Sequence, residues 1–176
     1  VAAMTVTLHE RGVSHLAFSP DGTRLASLGC DNHHTLVIWD WRRRAPLVSS
    51  KAHNEPIFGL RFNPAGGSDV VCAAGVKAYK IFFLEAAAPG AGSLAASTLV
   101  CTKRNGVFGR LGATRDGSPQ TLLCLEFTPD GHAVTGCASG DILVWLGQEV
   151  SSKLRGAHDG PVYALAVFDG GAFASG

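Results

Sequence analysis

Short runs of alternating apolar and polar residues recur along the chain, and each run is followed by a turn. Four runs open such units, at 13–18, 57–62, 122–127 and 162–167. Alternation of this kind predicts a β-strand with two unlike faces. No segment of useful length carries the 3.6-residue period of a helix, so the pattern predicts an all-β chain.

The turn after each opening run repeats in register. The sequence Phe-Ser-Pro-Asp-Gly at 18–22 returns in related form at 62–66, 127–131 and 167–171, with spacings of 44, 65 and 40 residues. Proline presets φ, aspartate accepts a local hydrogen bond and glycine tolerates positive φ, so the motif predicts a tight turn. Further strand-like runs follow each turn.

Four short antiparallel strands in a repeat of about 40–45 residues are typical of a blade of a WD-type β-propeller. We predict about three and a half four-stranded blades. The units are the last strand of a preceding blade at 1–8, blades at 9–52, 53–117 and 118–157, and half a blade at 158–176. Long loops are expected at 86–97 and 103–117. Both ends fall inside strand-like patterns, so we expect an incomplete part of a larger propeller.

Composition and charge argue against several classes of function. Hydrophobic residues make up 46% and charged residues 16%, which suits short buried strands. A net charge of +1 gives no global argument for nucleic acid or an anionic membrane as a partner. No signal peptide or membrane-spanning apolar run is evident. The five cysteines lack paired spacings, which favours reduced, buried thiols in a cytosolic protein over disulfides or zinc.

One group of polar residues in the first blade resembles a catalytic triad. It consists of His9, Ser27, Asp31 and Trp39. We interpret it as the structural tetrad of a WD repeat, in which aspartate accepts from histidine, histidine meets the serine hydroxyl and the hydroxyl meets the indole N–H.

The same positions recur in altered form in the later units. The repeat equivalents are His53 and Phe82 in the second blade, Ser118 and Trp145 in the third, and His158 in the last unit. Such changes are compatible with packing and incompatible with catalysis, so we predict no catalytic residue and no enzyme activity. His33 and His34 are interpreted as a solvated pair, not as metal ligands, and no phosphate-binding glycine motif is present. We therefore expect no cofactor and no metal.

Two basic groups are candidate contacts for a partner. The first group follows the third strand of the first blade, and the second is expected in the long loop that begins at 103. The residues are Arg42, Arg43 and Arg44 in the first group, and Lys103, Arg104 and Arg110 in the second. Basic loop residues steer binding to an acidic surface, but we favour the simpler interpretation of these residues as solvated turns.

Three segments resemble the echinoderm microtubule-associated protein-like family. They are 11–41, which contains the unusual turn at 31–34 and the Trp-Asp-Trp ending at 39–41, then 75–82 followed by 103–109, and finally 153–163. The resemblance covers the chain from about residue 8 onward. It implies tandem propellers that associate with microtubules and are not enzymes. Phe82, where relatives tend to carry tryptophan, and the Ala/Gly-rich insert at 86–97 depart from the family pattern.

The leading hypothesis for function is a non-catalytic scaffold that binds microtubules or tubulin through a propeller surface. The implied location is the cytoplasmic cytoskeleton, and family membership also allows the ciliary axoneme. The alternative is a general WD-repeat adaptor that recognises peptides or substrates within a larger complex. The remainder of its own propeller is a further expected partner, because open edge strands would leave the segment poorly soluble alone.

Overall fold

The described residues fold into three four-stranded antiparallel sheets and one two-stranded sheet. The structure, a computed structural model, describes residues 8–87, 99–168 and 170–176. The strands of the first blade are β1 (Val13–Phe18), β2 (Arg24–Gly29), β3 (Thr35–Asp40) and β4 (Ala45–Lys51). Those of the second are β5 (Ile57–Phe62), β6 (Val70–Gly75), β7 (Ala78–Ala86) and β8 (Leu99–Asn105). Those of the third are β9 (Leu122–Phe127), β10 (Ala133–Cys137), β11 (Ile142–Leu146) and β12 (Glu149–Leu154), and the half-blade has β13 (Leu165–Val167) and β14 (Phe173–Ser175).

Each sheet is a meander in which consecutive strands are neighbours. This arrangement confirms the prediction of a WD-type β-propeller with about three and a half blades. Because four antiparallel strands return the chain to the side from which it came, every blade begins and ends at the same end of its strands. We call this the entry end; the turn between the second and third strands of each blade also lies there. The turns between the first and second strands and between the third and fourth strands lie at the opposite end.

The second blade differs from its predicted boundaries. β7 extends to Ala86 and β8 extends to Asn105, and Lys80 pairs with Asn105 at the far end of their ladder. Lys103 and Arg104 therefore lie on a strand, and the prediction that placed them in a loop is wrong. The loop begins at Gly106 because backbone pairing along the nine-residue β7 continues to that point. The segment at 1–8, predicted as the last strand of a preceding blade, and the predicted loop at 86–97 lie mostly outside the described residues.

The hydrophobic core lies between neighbouring blades. Leu28 and Ile38 of the first blade pack with Leu60 and Phe82 of the second. A second cluster joins the second and third blades, and within it the rings of Tyr79 and Trp145 are 4.4 Å apart. The third cluster joins Val134 and Ile142 to Val162 and the half-blade. Each blade therefore depends on a neighbour to cover its apolar faces.

The repeated turn motif has the backbone that its sequence predicted in two blades. Gly22 and Gly131 adopt φ values of 64° and 87°, in the left-handed region that glycine tolerates. In the second blade, Pro64–Gly66 instead form a 3₁₀ turn, and the positive φ of 59° moves to Gly67.

The cysteines are free, as predicted, but they are not all buried. Cys72 and Cys137 lie in the core, whereas Cys30 is exposed, so the prediction of a buried thiol is wrong at that position. Burial raises the pKa of Cys72 and of Cys137 to about 12, which keeps both thiols protonated and unreactive. Within the described ranges, no helix is long and apolar enough to cross a membrane.

Candidate functional site

The polar network of the first blade is centred on the hydroxyl of Ser27. Trp39 Nε1 donates to Ser27 Oγ at 2.8 Å, and His9 Nε2 lies 2.7 Å from the same oxygen. Strand β2 carries Ser27, β3 carries Trp39, and His9 precedes β1, so the network ties the blade's entry segment to two of its strands. Ser27 is 3% exposed, which leaves its hydroxyl no access to a substrate.

The fourth member of the predicted tetrad does not complete the chain of hydrogen bonds. Asp31 accepts hydrogen bonds from the backbone of His33 and from the backbone and hydroxyl of Thr35. His9 Nδ1 is buried and has no partner among the described residues. The predicted bond from His9 to Asp31 is therefore not formed, and the carboxylate instead holds the extended turn at 31–35.

Gly29 allows His9 and Asp31 to lie close together even without a bond. A Cβ added at Gly29 would lie 2.5 Å from His9 Nδ1 and 2.6 Å from Asp31 Oδ2. Burial lowers the pKa of His9 below its ordinary value, and the negative charge of Asp31 partly offsets this effect. Burial alone would raise the pKa of Asp31, but its hydrogen bonds to the turn outweigh burial and keep the pKa below its ordinary value.

The second blade loses both partners of the central hydrogen bond together. Val71 pairs with Phe82 as Leu25 pairs with Trp39, which places Ala73 at the position of Ser27. The hydroxyl and the indole N–H are thus replaced by apolar groups, and no buried donor is left without an acceptor. His53 Nε2 lies 3.2 Å from the backbone carbonyl of Val76 instead.

The third blade keeps the hydroxyl and the indole but replaces the histidine. Trp145 Nε1 donates to Thr135 Oγ1 at 2.9 Å. The prediction that Ser118 takes the histidine position is wrong, since its hydroxyl donates to Asp116 in a local turn at 2.8 Å. Gln120, two residues before β9, is instead the fully buried polar residue of this entry segment, and its amide nitrogen donates to Asp141 Oδ2 at 2.8 Å.

The half-blade repeats the first contact of the network. His158 Nε2 lies 2.8 Å from Ser175 Oγ, as His9 lies beside Ser27. In each of the four units, a polar side chain before the first strand thus anchors the entry segment. Its partner is a serine hydroxyl in the first blade and the half-blade, a backbone carbonyl in the second blade and an aspartate in the third. Such variety fits a packing device.

The six basic candidates do not form one surface. Arg42, Arg43 and Arg44 lie in the β3–β4 turn and are exposed at the end opposite the entry end. Arg42 stacks over the Trp41 ring at 5.2 Å, and Arg43 pairs with Asp40 at 3.6 Å. Arg44 has a φ of 58° and forms no ion pair within the part of the chain that the structure describes.

Lys103 and Arg104 contact their own propeller. Lys103 Nζ donates to the backbone carbonyl of Lys51 at 2.9 Å, which ties β8 to the end of the first blade. The guanidinium of Arg104 lies 5.0 Å from the centre of the Phe83 ring. These contacts identify Lys103 as a link between blades and Arg104 as a strand residue that packs on its neighbour.

Arg110 is the one loop candidate at the entry end. It lines a cleft of about 580 Å³ between the loop at 106–121 and the turn that follows β12, and we call this space the blade-three cleft. Sequence reasoning missed two further arginines of its lining, Arg115 and Arg155. Their positions in the chain were the available signal. Both arginines lie in segments that link one blade to the next, and all such segments lie at the entry end.

No group of three or more histidine, cysteine, aspartate or glutamate side chains that could hold a metal ion occurs in the described ranges. His33 and His34, the pair considered for this role, instead approach Asn54 Oδ1 and the carbonyl of His53, each at 3.1 Å.

Comparisons with known proteins agree with the fold. The β-propeller domain of Cps50 (Swd1) from Myceliophteria thermophila superimposes with a TM-score of 0.68 at 14% identity, covering 94% of this chain and 48% of that one. This likeness shows the fold alone.

Sequence comparison identifies the family. Echinoderm microtubule-associated protein-like 1 of Homo sapiens is 31% identical over 95% of this chain, and echinoderm microtubule-associated protein-like 2 of Mus musculus is 32% identical over 95%. The 77 kDa echinoderm microtubule-associated protein of Lytechinus variegatus is 27% identical over the same share. The chain spans 19%, 24% and 23% of the lengths of these relatives. The model of the first β-propeller of echinoderm microtubule-associated proteins matches residues 1–176, and the chain therefore belongs to this family.

Proposed function

We propose that this protein is a non-catalytic scaffold of the cytoskeleton that binds microtubules or tubulin through its propeller surface. The observation that carries the proposal is the match of residues 1–176 to the propeller model of a family whose members are named microtubule-associated proteins. The buried networks of the blades add to it, because their hydroxyls and imidazoles hold strands together and are not presented to a substrate.

The surface proposed for this contact is the turn of Arg42, Arg43 and Arg44. All three residues are exposed, and only Arg43 has an acidic neighbour within 4 Å among the described residues. Stacking of Arg42 on Trp41 limits the side-chain freedom that binding would otherwise have to restrict. A protruding group of fixed cations suits an acidic partner surface.

We also propose that further propeller sequence completes the ring. The first blade exposes Leu16 and Phe18, and the half-blade exposes Tyr163 and Phe168. In the blades that have two neighbours, the corresponding strands are covered by the next sheet. The ends of the arc therefore present apolar surface that fits another blade.

Co-sedimentation of the complete protein with polymerised microtubules across a salt series tests microtubule binding. We expect pelleting that falls as salt rises, because screening weakens contacts between charged surfaces. Arg42→Glu/Arg44→Glu should weaken binding by about fivefold or more at low salt. Arg11→Glu/Lys77→Glu makes the same change in net charge at the entry end and should have a smaller effect.

Binding that ignores salt, or that responds equally to both charge-reversal pairs, would contradict the proposed contact surface. Absence of pelleting at low salt would contradict microtubule binding itself and favour the adaptor function. In that case, partners recovered with the complete protein should be non-cytoskeletal.

A further inference from the structure

The blade-three cleft concentrates positive charge on a chain that has little net charge. Its lining includes Arg110, Arg115, Lys153 and Arg155, with Asp141 as the one carboxylate. The whole chain has a net charge of only +1, so this local excess is not a by-product of a basic sequence. The cations come from two segments, the loop at 106–121 and the end of β12, that meet only in the folded protein.

The floor of the cleft is fixed by a satisfied network. Asp141 accepts from Lys153 Nζ at 2.7 Å, from Gln120 Nε2 at 2.8 Å and from the backbone N–H of Gly156 at 2.9 Å. Burial alone would raise the pKa of Asp141, but these bonds outweigh it and hold the pKa below its ordinary value. The single carboxylate is therefore already neutralised by Lys153 and does not compete for the arginines.

The three arginines at the rim differ from this floor because their guanidinium groups are unengaged. Arg110, Arg115 and Arg155 are exposed, and within residues 8–87, 99–168 and 170–176 none donates a hydrogen bond to a side chain or forms an ion pair. The nearby carboxylate of Asp116 already accepts hydrogen bonds from the backbone N–H of Ser118 at 3.1 Å and from the Ser118 hydroxyl at 2.8 Å. The rim thus presents three free cations above a rigid base.

We propose that the blade-three cleft binds an extended acidic peptide segment, with aspartate or glutamate carboxylates on Arg110, Arg115 and Arg155. Guanidinium groups pair with carboxylates through two parallel hydrogen bonds, which gives orientation as well as attraction. A space of about 580 Å³ with cations from two segments accommodates several side chains of a peptide. Among the described residues, none that lines the cleft is an aromatic on which a nucleotide base could stack, which disfavours a nucleic-acid ligand.

This site is separate from the surface proposed for microtubule binding. The cleft lies at the entry end of the strands, whereas the turn of Arg42, Arg43 and Arg44 lies at the opposite end. One molecule therefore holds two basic surfaces that face in opposite directions. The proposal of peptide binding at the cleft does not rest on the proposal of microtubule binding at the turn, and each is tested separately.

Fluorescence anisotropy of the complete protein with a labelled peptide of about eight glutamates tests the inference. A glutamine peptide of equal length is the neutral probe, and a neutral peptide with one phosphoserine is the phosphate probe. We expect the glutamate peptide to bind at least about tenfold more tightly than either. Arg110→Glu/Arg155→Glu should weaken that binding by about tenfold or more, and Arg42→Glu/Arg44→Glu should change it by less than about twofold.

Stability and specificity controls keep the test decisive. Because the three arginines are exposed and unpaired, Arg110→Glu/Arg155→Glu should unfold at the same temperature as the unchanged protein. Equal affinity for the glutamate and glutamine peptides, or equal loss in both charge-reversal pairs, would overturn the proposal. Tighter binding of the phosphoserine probe would overturn the assignment to carboxylates. Microtubule pelleting of the same variants is scored separately, so failure of one function is distinguishable from failure of the other.

Discussion

Ser27 shows how one hydroxyl serves two aromatic rings. Its oxygen lies 2.8 Å from the indole nitrogen of Trp39 and 2.7 Å from Nε2 of His9. A hydroxyl can accept and donate at once, so a small side chain satisfies one ring nitrogen of the buried Trp39 and one of the half-buried His9. Neither a thiol nor a carboxylate could do the same here, because a thiol bonds weakly and a buried carboxylate would carry an uncompensated charge.

The histidines before the first strands give the protein a predictable pH dependence. Burial lowers the pKa of His9 and of His53 below the ordinary value of 6.5. Around and below that pH, the unfolded chain binds more protons than the folded chain, so acidification favours unfolding. Stability that is present above pH 6.5 is therefore lost as the pH falls through the lower folded-state values.

We expect the thermal unfolding midpoint of the complete protein to decrease as the pH is lowered from about 7.5 to about 5.5. The decrease should be smaller in His9→Gln/His53→Gln. Differential scanning fluorimetry across this range measures the change. The midpoint of the variant at about pH 8 separates the structural cost of losing the rings from the cost of protonation. An identical slope in both proteins would show that other groups cause the acid sensitivity.

At the scale of the blade, the two positions of the central hydrogen bond are filled in three different ways in the three four-stranded blades. The first blade uses serine and tryptophan, the third uses Thr135 and Trp145, and the second uses Ala73 and Phe82, which cannot form the bond at all. Replacing both partners of the hydrogen bond by apolar groups leaves no unpaired donor, whereas replacing only one leaves the other buried without a partner. The second blade therefore shows which pair of changes a blade tolerates.

This comparison predicts a strong coupling between Ser27 and Trp39. Ser27→Ala leaves the buried indole nitrogen of Trp39 unpaired and removes the partner of His9 Nε2, and should cost about 1–3 kcal/mol in the free energy of unfolding. The double variant Ser27→Ala/Trp39→Phe should lose about 0.5–3 kcal/mol less free energy of unfolding than the two single variants lose together. Chemical denaturation of the four proteins gives the coupling.

A matched cycle uses the tryptophan of another blade. Ser27→Ala combined with Trp145→Phe should be additive within about 0.5 kcal/mol, since the two positions lie in blades separated by the second. Additivity in the Ser27–Trp39 cycle as well would mean that the bond adds nothing beyond packing.

Strand boundaries show where sequence patterns are informative at this scale. The opening strands β1, β5 and β9 were predicted to the residue, because alternation before a Pro-containing turn marks both of their ends. β8 was predicted to end three residues too early, where the loop was expected to begin at 103, since Lys103, Arg104 and Asn105 have no apolar alternation of their own. Their strand conformation comes from pairing with β7, which a local pattern does not contain.

At the scale of the molecule, the stability of each blade belongs partly to its neighbour. The faces of the second blade are covered on both sides, whereas the first blade leaves Leu16 and Phe18 each 60% exposed and the half-blade leaves Tyr163 69% exposed. An edge strand that exposes apolar side chains at the open end of the arc of blades is a site at which other molecules associate.

We therefore predict that the 176-residue chain expressed alone is poorly soluble and self-associates. Analytical ultracentrifugation of the isolated chain, beside the complete protein at the same concentration, measures this directly. Leu16→Lys/Phe18→Lys should reduce the self-association of the isolated chain, since charge on an edge strand opposes pairing. A monodisperse monomer that melts cooperatively would contradict the prediction.

The sequence by itself determined the all-β class, the blade repeat, most of the strands and the positions of His9, Ser27 and Trp39. These features depend on local alternation, turn residues and fixed spacing, which are written along the chain. Only the tertiary structure decided that Gln120 anchors the entry segment of the third blade, that Asp31 accepts hydrogen bonds from its own turn, and that Arg110 and Arg155 line one cleft while Arg42 lies at the opposite end. Those outcomes depend on side-chain reach and on which strand ends come together, and distances through space are not readable from spacing along a chain.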